Sequence, residues 1–329
     1  MNNLVRVVEV IQNSRRILIT SHEKPDADAI GSMLALGLVL TRFDKDVVCY
    51  NKDGVPKVLE FLPGSRSVIK SLTNVRGNFD CTIILDCTDV SRVGKEFLNF
   101  ISGKSCGTSV IVDHHQTTRA TADLYLLDPV FSSTGMIIYL LIRKLNLEIN
   151  PEIATNLYTT IIGDTGSFRY SNTSPETFRI AAELVEYGAN PSEISQALYE
   201  SDTPERLQLI GLAISTLEFL ENGRIASVVL NKEMFNRTCT TSEDSEGIVN
   251  YPRSVKGVEV AVLFNELEKI NNSESIWKVS LRSKGEVDVA MIAETFCGGG
   301  HKRSAGCMLK GSLNDVKHRI YRSISEKLI

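Results

Sequence analysis

The first half of the chain alternates short β-rich runs with segments of helical periodicity. Candidate strands cover residues 16–20, 46–51, 82–86 and 109–113, and candidate helices cover residues 28–42, 134–146 and 151–162. Strands that alternate with helices predict an α/β fold, here a mostly parallel sheet with helices on both faces. In open sheets of this kind ligands bind outside the carboxyl ends of the strands, so the residues that follow each strand are the first candidates for a site.

The predicted secondary structure changes twice in the second half of the chain. Between residues 174 and 220 the pattern is helical, and three pairs mark helix starts: Ser174-Pro175, Asn190-Pro191 and Thr203-Pro204. After Gly223 β-rich runs return, and they are followed by a candidate helix over residues 313–327. We therefore expect an N-terminal domain over 1–189, a helical linker over 190–222 and a smaller α/β domain over 223–329.

Composition limits the classes of function. The 329 residues suffice for about two domains, and the formal net charge of −4 argues against a broad electrostatic grip on long duplex nucleic acid. The seven cysteines form no CxxC pair, so neither a disulfide framework nor a zinc ribbon is indicated. No run approaches the roughly 18 apolar residues of a membrane span. We expect a cytoplasmic protein without membrane contact.

Four stretches gather carboxylates and histidines, and three of them adjoin candidate strands. They contain His22, Asp26 and Asp28 in HEKPDAD, Asp86 in LDCTD, Asp113, His114 and His115 in VDHH, and Asp164 in GDTGSF. Singly, each aspartate could be a helix cap or a turn residue. Together they suggest a metal site, because two aspartates as close as Asp26 and Asp28 oppose each other's ionisation unless a cation lies beside them.

The donor types narrow the choice of metal. Mixed imidazole and carboxylate donors suit a divalent ion such as Mn²⁺, with Mg²⁺ or Co²⁺ as other candidates. So many carboxylates are better explained by two ions than by one. Two ions can bind both the attacking and the leaving oxygen of a phosphoryl displacement, which is hydrolase chemistry.

The same stretches carry a family resemblance. HEKPDAD, LDCTD, VDHH and GDTGSF, in this order, resemble the four motifs of the DHH phosphoesterase superfamily. The later segment SLRSKGEVDVAMIAETFCGGGHKRSAG resembles the DHHA1 domain of one branch of that superfamily. Size and motif order resemble the nanoRNases, which cleave short oligoribonucleotides and remove the 3′-phosphate from 3′-phosphoadenosine 5′-phosphate.

The resemblance implies a role for each candidate residue of the first domain. His22 and Asp26 would hold one ion, and Asp28, His114 and Asp164 would hold the other. Asp86 would bridge the two ions. Asp113 would orient a ligand imidazole through its other nitrogen. His115 would face the substrate phosphate, so that His115, Asp113 and Asp86 form the expected catalytic set.

The second domain is expected to bind the substrate. Its glycine-rich run contains Gly298, Gly299, Gly300 and His301, followed by Lys302 and Arg303, and glycines let backbone N–H groups approach an anion. A tight turn between a helix over 289–296 and the apolar run 307–309 is the structural alternative. The resemblance favours a grip on the terminal phosphate or base, aided by Arg282 and Ser283. The family often has glycine where this chain has Cys297.

Other possibilities remain open from the sequence. Arg92 could reach a phosphate, although a surface ion pair with Asp89 explains it equally well. The expected partners are short single-stranded RNA or a dinucleotide, nucleotide products and a second copy of the chain in a homodimer. The first alternative function is a phosphodiesterase for cyclic di-AMP or its linear dinucleotide. A nucleotide-binding sensor without catalysis is the alternative from another class.

Overall fold

The computed structural model describes residues 2–87, 89–102, 106–115, 121–271 and 274–328, and for Asn2 and His301 the backbone alone. The chain divides into two compact units, Met1–Ser201 and Asp202–Ile329. The border falls inside the predicted linker over 190–222, whose limits stay a prediction.

The first unit contains a five-stranded sheet. Its strands are β1 (Arg16–Ser21), β2 (Asp46–Tyr50), β3 (Cys81–Leu85), β4 (Thr108–Asp113) and β5 (Leu124–Leu127). Its helices are α1 (Asn2–Asn13), α2 (Ala27–Arg42), α3 (Lys95–Ser102), α4 (Thr134–Lys144), α5 (Pro151–Asp164), α6 (Pro175–Glu186) and α7 (Pro191–Tyr199). The strand order is β2-β1-β3-β4-β5, and every pairing is parallel.

Helices cover both faces of this sheet, as the sequence predicts. Ile17 and Ile19 of β1 belong to a core that includes residues of α1, α2, α4, α5 and α6. Leu18 lies between them in the chain and belongs to a separate core with Phe97 of α3. Because successive side chains of a strand point to opposite faces, this division places apolar layers on both sides. It also explains why β3 is buried along its whole length.

The helices α2 and α4 approach α5 very closely. A Cβ atom on Gly31 of α2 would lie 2.6 Å from the Thr160 methyl carbon of α5, and one on Gly135 of α4 would lie 1.9 Å from the Thr160 hydroxyl oxygen. Neither position has room for a side chain. These glycines therefore set the spacing of the three helices that carry Asp28, Thr134 and Asp164.

The helix starts predicted after residue 174 are confirmed. Ser174, Asn190 and Thr203 are the N-caps of α6, α7 and α8 (Pro204–Ser215), and each side chain accepts a hydrogen bond from a backbone N–H of the first turn. Each helix has proline at its first position, where the missing N–H costs nothing. After α6 the chain passes through Gly188, whose φ of 101° lies in the left-handed region that favours glycine.

The second unit has a six-stranded mixed sheet with the order β10-β11-β9-β8-β7-β6. Its strands are β6 (Glu218–Leu220), β7 (Ile225–Leu230), β8 (Val260–Lys269), β9 (Ser275–Ser283), β10 (Gly299–His301) and β11 (Ser304–Gly311). Its further helices are α9 (Lys232–Thr238), α10 (Asn250–Ser254), α11 (Val289–Glu294) and α12 (Leu313–Ser325). Within this second sheet, as far as its strands are described, only β7 and β8 pair in parallel. A smaller C-terminal α/β domain is therefore confirmed.

The glycine-rich run is one strand of a β-hairpin, whereas the structural alternative in the sequence was a tight turn. Gly299 pairs with Gly306 and Gly300 with Ala305, so Lys302 and Arg303 form the tip. A Cβ atom on Gly300 would lie 2.4 Å from the carbonyl oxygen of Ser304. Close strand approach therefore requires glycine at this position.

No helix in the described part of the chain is long and apolar enough to cross a membrane.

Candidate metal centre

Three of the four predicted stretches lie at one edge of the first sheet. His22 follows β1, Asp86 follows β3, and Asp113 is the last residue of β4. These three strands are neighbours and run in parallel, so their carboxyl ends meet. The chain order reverses between β1 and β3, which is the point where ligands bind in open α/β sheets.

The fourth stretch and the start of α2 complete the cluster. Asp26 is the N-cap of α2, and its carboxylate accepts hydrogen bonds from the backbone N–H groups of Asp28 and Ala29 at 3.1 and 3.0 Å. Asp28 lies in the first turn of the same helix and is buried. Asp164 is the last residue of α5. Two helices thus bring three carboxylates to the edge where β1, β3 and β4 end.

The candidate ligand atoms fall into three groups, within each of which all atoms lie within 4.8 Å of one another. The first group is His22, Asp26 and Asp86, and the second is Asp28, His114 and Asp164. The third group is Asp86, Asp113, His114 and His115. All six residues that the resemblance assigned to metal ions are therefore close together.

Asp86 connects the groups through its two carboxylate oxygens. Its Oδ2 lies 3.6 Å from Nε2 of His22. Its Oδ1 lies 3.7 Å from Nε2 of His114 and 3.5 Å from Nδ1 of His115. One oxygen therefore faces the first group and the other oxygen faces the second, which is the arrangement that a bridging ligand needs.

Backbone carbonyls orient the two candidate ligand histidines. Nδ1 of His22 lies 2.8 Å from the carbonyl oxygen of Glu23, and Nδ1 of His114 lies 3.3 Å from that of Phe131. In both rings Nδ1 then carries the proton and donates, which leaves Nε2 as the atom that faces the carboxylates. Ligand histidines in proteins are commonly held in this way.

Burial and neighbouring charges together raise the pKa values of Asp28 and His114 and lower that of Asp86. Burial raises the pKa of Asp28 well above its ordinary value, and the charges of Asp86 and Asp164 act in the same direction. Burial also raises the pKa of Asp86, but the hydrogen bond with His22 and the neighbouring imidazoles outweigh it and hold this pKa below its usual range. For His114 burial lowers the pKa, whereas the bond with Asp164 and the charge of Asp28 raise it to about 10.

The residues fit bound divalent cations. Asp28 and Asp86 are only 1% and 2% exposed, and buried carboxylates are stable when they are paired or when they coordinate a metal. Among the described residues, Oδ2 of Asp113 is buried without a hydrogen-bond partner. Imidazole nitrogens and carboxylate oxygens are donors that first-row divalent metals accept together. The cluster could therefore bind metal.

Asp113 contacts a histidine other than the one that the resemblance led us to expect. The resemblance assigned it to a ligand imidazole, but its Oδ1 lies 2.5 Å from Nδ1 of His115, the histidine that was assigned to the substrate. The same oxygen also accepts a hydrogen bond from the backbone N–H of His115 at 3.0 Å. His114 is held instead by the carbonyl of Phe131, because its ring turns towards Asp164, 3.0 Å away.

Arg92 lies beside the first stretch. The backbone N–H of Glu23 donates to the carbonyl oxygen of Arg92 at 2.6 Å, and the Arg92 side chain is exposed. Asp89 caps the short turn Val90–Val93 by accepting from the backbone N–H of Ser91 at 2.8 Å. A phosphate contact for Arg92 stays a prediction.

In the second unit the predicted substrate residues cluster at the hairpin. Ser283 is buried, and its N–H and hydroxyl donate to the carbonyl oxygens of Arg303 and Lys302, so Ser283 holds the hairpin tip. Arg282 is directly opposite Ser304 on β11, and its guanidinium lies 3.9 Å from Glu246. A Cβ on Gly298 would lie 2.2 Å from the carbonyl oxygen of Gly306, so the hairpin itself explains that glycine.

Gly299 has open space where a Cβ would stand, so packing does not explain this glycine. The side chain of His301 lies outside the described part of the chain. Cys297 has a φ of 56°, the left-handed conformation that favours glycine, which agrees with the glycine that the resemblance led us to expect there.

Thr134 is a residue of the site that the sequence analysis missed. Its backbone N–H donates to Oδ2 of Asp28 at 2.7 Å, and its hydroxyl donates to Oδ1 of Asp86 at 3.2 Å. In the sequence, the run Ser132-Ser133-Thr134 before a helix is typical of capping. The distances along the chain hide the contacts, since Asp28 and Asp86 lie 106 and 48 residues away.

Comparisons with known proteins identify both domains of the chain. The family model "DHH family, N-terminal domain" matches residues 16–161, and the DHHA1 domain matches residues 225–326. The "Bifunctional oligoribonuclease and PAP phosphatase NrnA" of Thermus thermophilus is 33% identical, over 95% of this chain and 90% of the relative. The protein of the same name from Bacillus subtilis is 27% identical, over 93% of this chain and 92% of the relative.

A solved structure has the same fold throughout. The exopolyphosphatase-related protein from Bacteroides fragilis has a TM-score of 0.90 at 26% identity, over 99% of this chain and 96% of that one. Both domain matches, the full-length relatives and the ligand cluster agree with one another. The chain therefore belongs to the DHH phosphoesterase family, with a DHH domain followed by a DHHA1 domain.

Proposed function

We propose that the chain is a phosphoesterase, dependent on two divalent metal ions, that hydrolyses short oligoribonucleotides to mononucleotides. We also propose that it removes the 3′-phosphate from 3′-phosphoadenosine 5′-phosphate. The observation that carries the proposal is the position of Asp86, whose two oxygens face two separate groups of ligand atoms. The names of relatives that match over nearly the whole chain support the substrate class.

The two groups of candidate ligands would each hold one ion. His22 and Asp26 would hold one ion, Asp28, His114 and Asp164 would hold the other, and Asp86 would contact both. When bound, divalent ions lower the pKa of water and withdraw charge from phosphoryl oxygens. Mn²⁺ is the proposed metal, because the site mixes imidazole nitrogens with several carboxylates.

His115 would act on the substrate. Burial lowers its pKa, but the hydrogen bond with Asp113 and the charge of Asp86 raise it above the ordinary histidine value. The raised pKa favours the protonated ring, and the bond with Asp113 fixes its orientation. A protonated imidazole in this place can donate a hydrogen bond to a non-bridging phosphate oxygen, where charge develops during displacement.

The second unit would bind a terminal phosphate or base of the substrate. The hairpin presents the open position of Gly299, with Arg282 on the adjoining strand and Arg303 at the tip. A backbone N–H beside arginine charges suits a phosphate or a nucleotide end. The net charge of −4 is consistent with a short substrate, since no broad basic surface is implied.

Turnover of defined substrates tests the proposal. The purified chain with Mn²⁺ is incubated with a diribonucleotide, a pentaribonucleotide, 3′-phosphoadenosine 5′-phosphate and cyclic di-AMP, and products are separated by chromatography. We expect turnover of the diribonucleotide and of 3′-phosphoadenosine 5′-phosphate, and we expect Asp86→Asn to reduce both rates at least about a hundredfold.

The matched control is Asp123→Asn. Asp123 lies outside the metal cluster and bonds to Ser109 at the start of β4, so the same carboxylate-to-amide change should leave both rates near wild type. Faster hydrolysis of cyclic di-AMP would favour the second-messenger alternative. Binding of all four compounds without turnover would favour a sensor, and equal rates for wild type and Asp86→Asn would exclude the proposed centre.

A further inference from the structure

The start of α4 contacts the segments that carry the metal cluster. Asp28 accepts hydrogen bonds from the backbone N–H groups of Thr134 at 2.7 Å and Gly135 at 3.0 Å. Asn172 joins the same region to α5, because its side-chain amide donates to the carbonyl oxygens of Asp164 at 3.0 Å and Ser132 at 3.3 Å. The start of α4 is thus hydrogen-bonded to Asp28, a carboxylate of the second group, and is connected to the end of α5 through Asn172.

Ordinary helix capping does not account for this region. Ser133 is the N-cap of α4, yet its side chain makes no capping hydrogen bond. Its hydroxyl lies 3.1 Å from that of Thr160 instead. The carboxylate of Asp28 takes the first-turn N–H groups in its place, and a negative charge is favoured at a helix N-terminus. The helix is therefore capped by a candidate metal ligand from α2.

Thr134 is bonded to both groups of ligand atoms. Its backbone N–H donates to Oδ2 of Asp28, and its hydroxyl donates to Oδ1 of Asp86 at 3.2 Å. The residue is fully buried, so water does not compete for these bonds. A hydrogen bond to a charged acceptor is stronger than one between neutral groups, and its directionality fixes the acceptor.

We propose that Thr134 is a positioning residue that fixes the carboxylate of Asp86 between the two metal ions. Its hydroxyl holds Oδ1 towards the second group, so that Oδ2 remains directed at His22. Thr134 is fully buried and acts through Asp86. This inference rests on the proposed metal centre and adds a residue that determines how tightly the centre binds metal.

The test compares Thr134→Val with Thr134→Ser in the full-length, metal-free protein. Valine keeps the shape and the backbone bond to Asp28 but removes the hydroxyl, and serine keeps the hydroxyl. Titration calorimetry with Mn²⁺ should show the dissociation constant raised about tenfold in the valine variant, the usual effect of losing a group that orients a ligand. The serine variant should bind close to wild type.

A double-mutant cycle separates positioning from packing. In an Asp86→Asn background the valine change should have little further effect on Mn²⁺ affinity, because the carboxylate that it positions is gone. Thermal unfolding of each metal-free variant checks the fold, and Thr134→Ala replaces the valine variant if that one does not fold. The inference would be overturned if Thr134→Val bound Mn²⁺ as tightly as the wild type. It would also be overturned if Thr134→Ser bound Mn²⁺ as weakly as Thr134→Val. Absence of Mn²⁺ binding by the wild type would instead refute the metal centre itself.

Discussion

Asp86 adopts a backbone conformation that residues other than glycine seldom occupy, with a φ of 52°. Such a conformation persists when surrounding contacts hold it, and the backbone N–H of Asp86 donates to the carbonyl oxygen of Val112 on β4 at 3.0 Å. The turn directs the side chain into the space between His22 and His114. A single residue thereby joins the two groups of ligand atoms.

Metal binding should release protons, because metal and proton compete for the same imidazole. The pKa of His114 is raised to about 10, so at pH 7 the ring is protonated in the metal-free protein. It must lose a proton to become a ligand. Affinity for Mn²⁺ should therefore rise with pH below 10, by about tenfold per pH unit for one displaced proton.

Calorimetry in two buffers with different ionisation enthalpies measures the proton release directly. His318, a histidine outside the cluster, provides the matched control, and His318→Gln should leave the released proton count unchanged. An affinity for Mn²⁺ that stays constant between pH 6 and pH 9 would contradict the assignment of His114 as a ligand.

At the scale of elements, the close approach of α2, α4 and α5 fixes the cluster in place. Gly31→Ala and Gly135→Ala would each force an added carbon within 3 Å of α5. Overpacking of this kind costs about 1–3 kcal/mol, so both variants should lower the free energy of unfolding in urea. Their Mn²⁺ affinity should also fall, because Asp28 and Thr134 lie on the displaced helices.

Gly211 of α8 is the control for these glycine substitutions. It is exposed, and nothing lies within 4 Å of the position that a Cβ would take. Gly211→Ala should therefore stabilise the protein by up to about 1 kcal/mol through helix propensity alone. Stabilisation by Gly135→Ala would show that the helix spacing is not as tight as described.

Most elements were predictable because local patterns encode them. The strands β1 to β4 and the helices α2, α4 and α5 agree with their sequence patterns to within two residues at each end. The strand β5 was missed, since four residues at a sheet edge offer no clear alternation. The helix α1 was also missed, although the spacing of Val7, Val8 and Ile11 is typical of an amphipathic helix.

The site was predictable as a set of residues but not as a set of contacts. Motif order and strand ends pointed to the six proposed ligands. The partner of Asp113 could not be predicted, because it depends on the ring orientation of His114 and His115 after folding. The same holds for Thr134, whose partners come from α2 and from the end of β3.

At the scale of the whole molecule, the two units have separate cores, and every group of candidate ligands found among the described residues lies in the first unit. Calorimetric unfolding of the full chain should therefore show two transitions. Mn²⁺ at 100 times its dissociation constant should stabilise the unit Met1–Ser201 by about 2.7 kcal/mol for each bound ion and raise that transition alone. Asp86→Asn should reduce the shift at the same Mn²⁺ concentration, and an equal shift of both transitions would contradict a centre confined to the first unit.

The position of bound Mn²⁺ tests the central claim most directly. Crystals grown with Mn²⁺ and measured at the manganese absorption edge locate each ion by its anomalous scattering. We predict two ions, one held by His22, Asp26 and Asp86 and the other by Asp28, His114 and Asp164, with Asp86 contacting both. A single ion, or ions bound away from Asp86, would contradict the account.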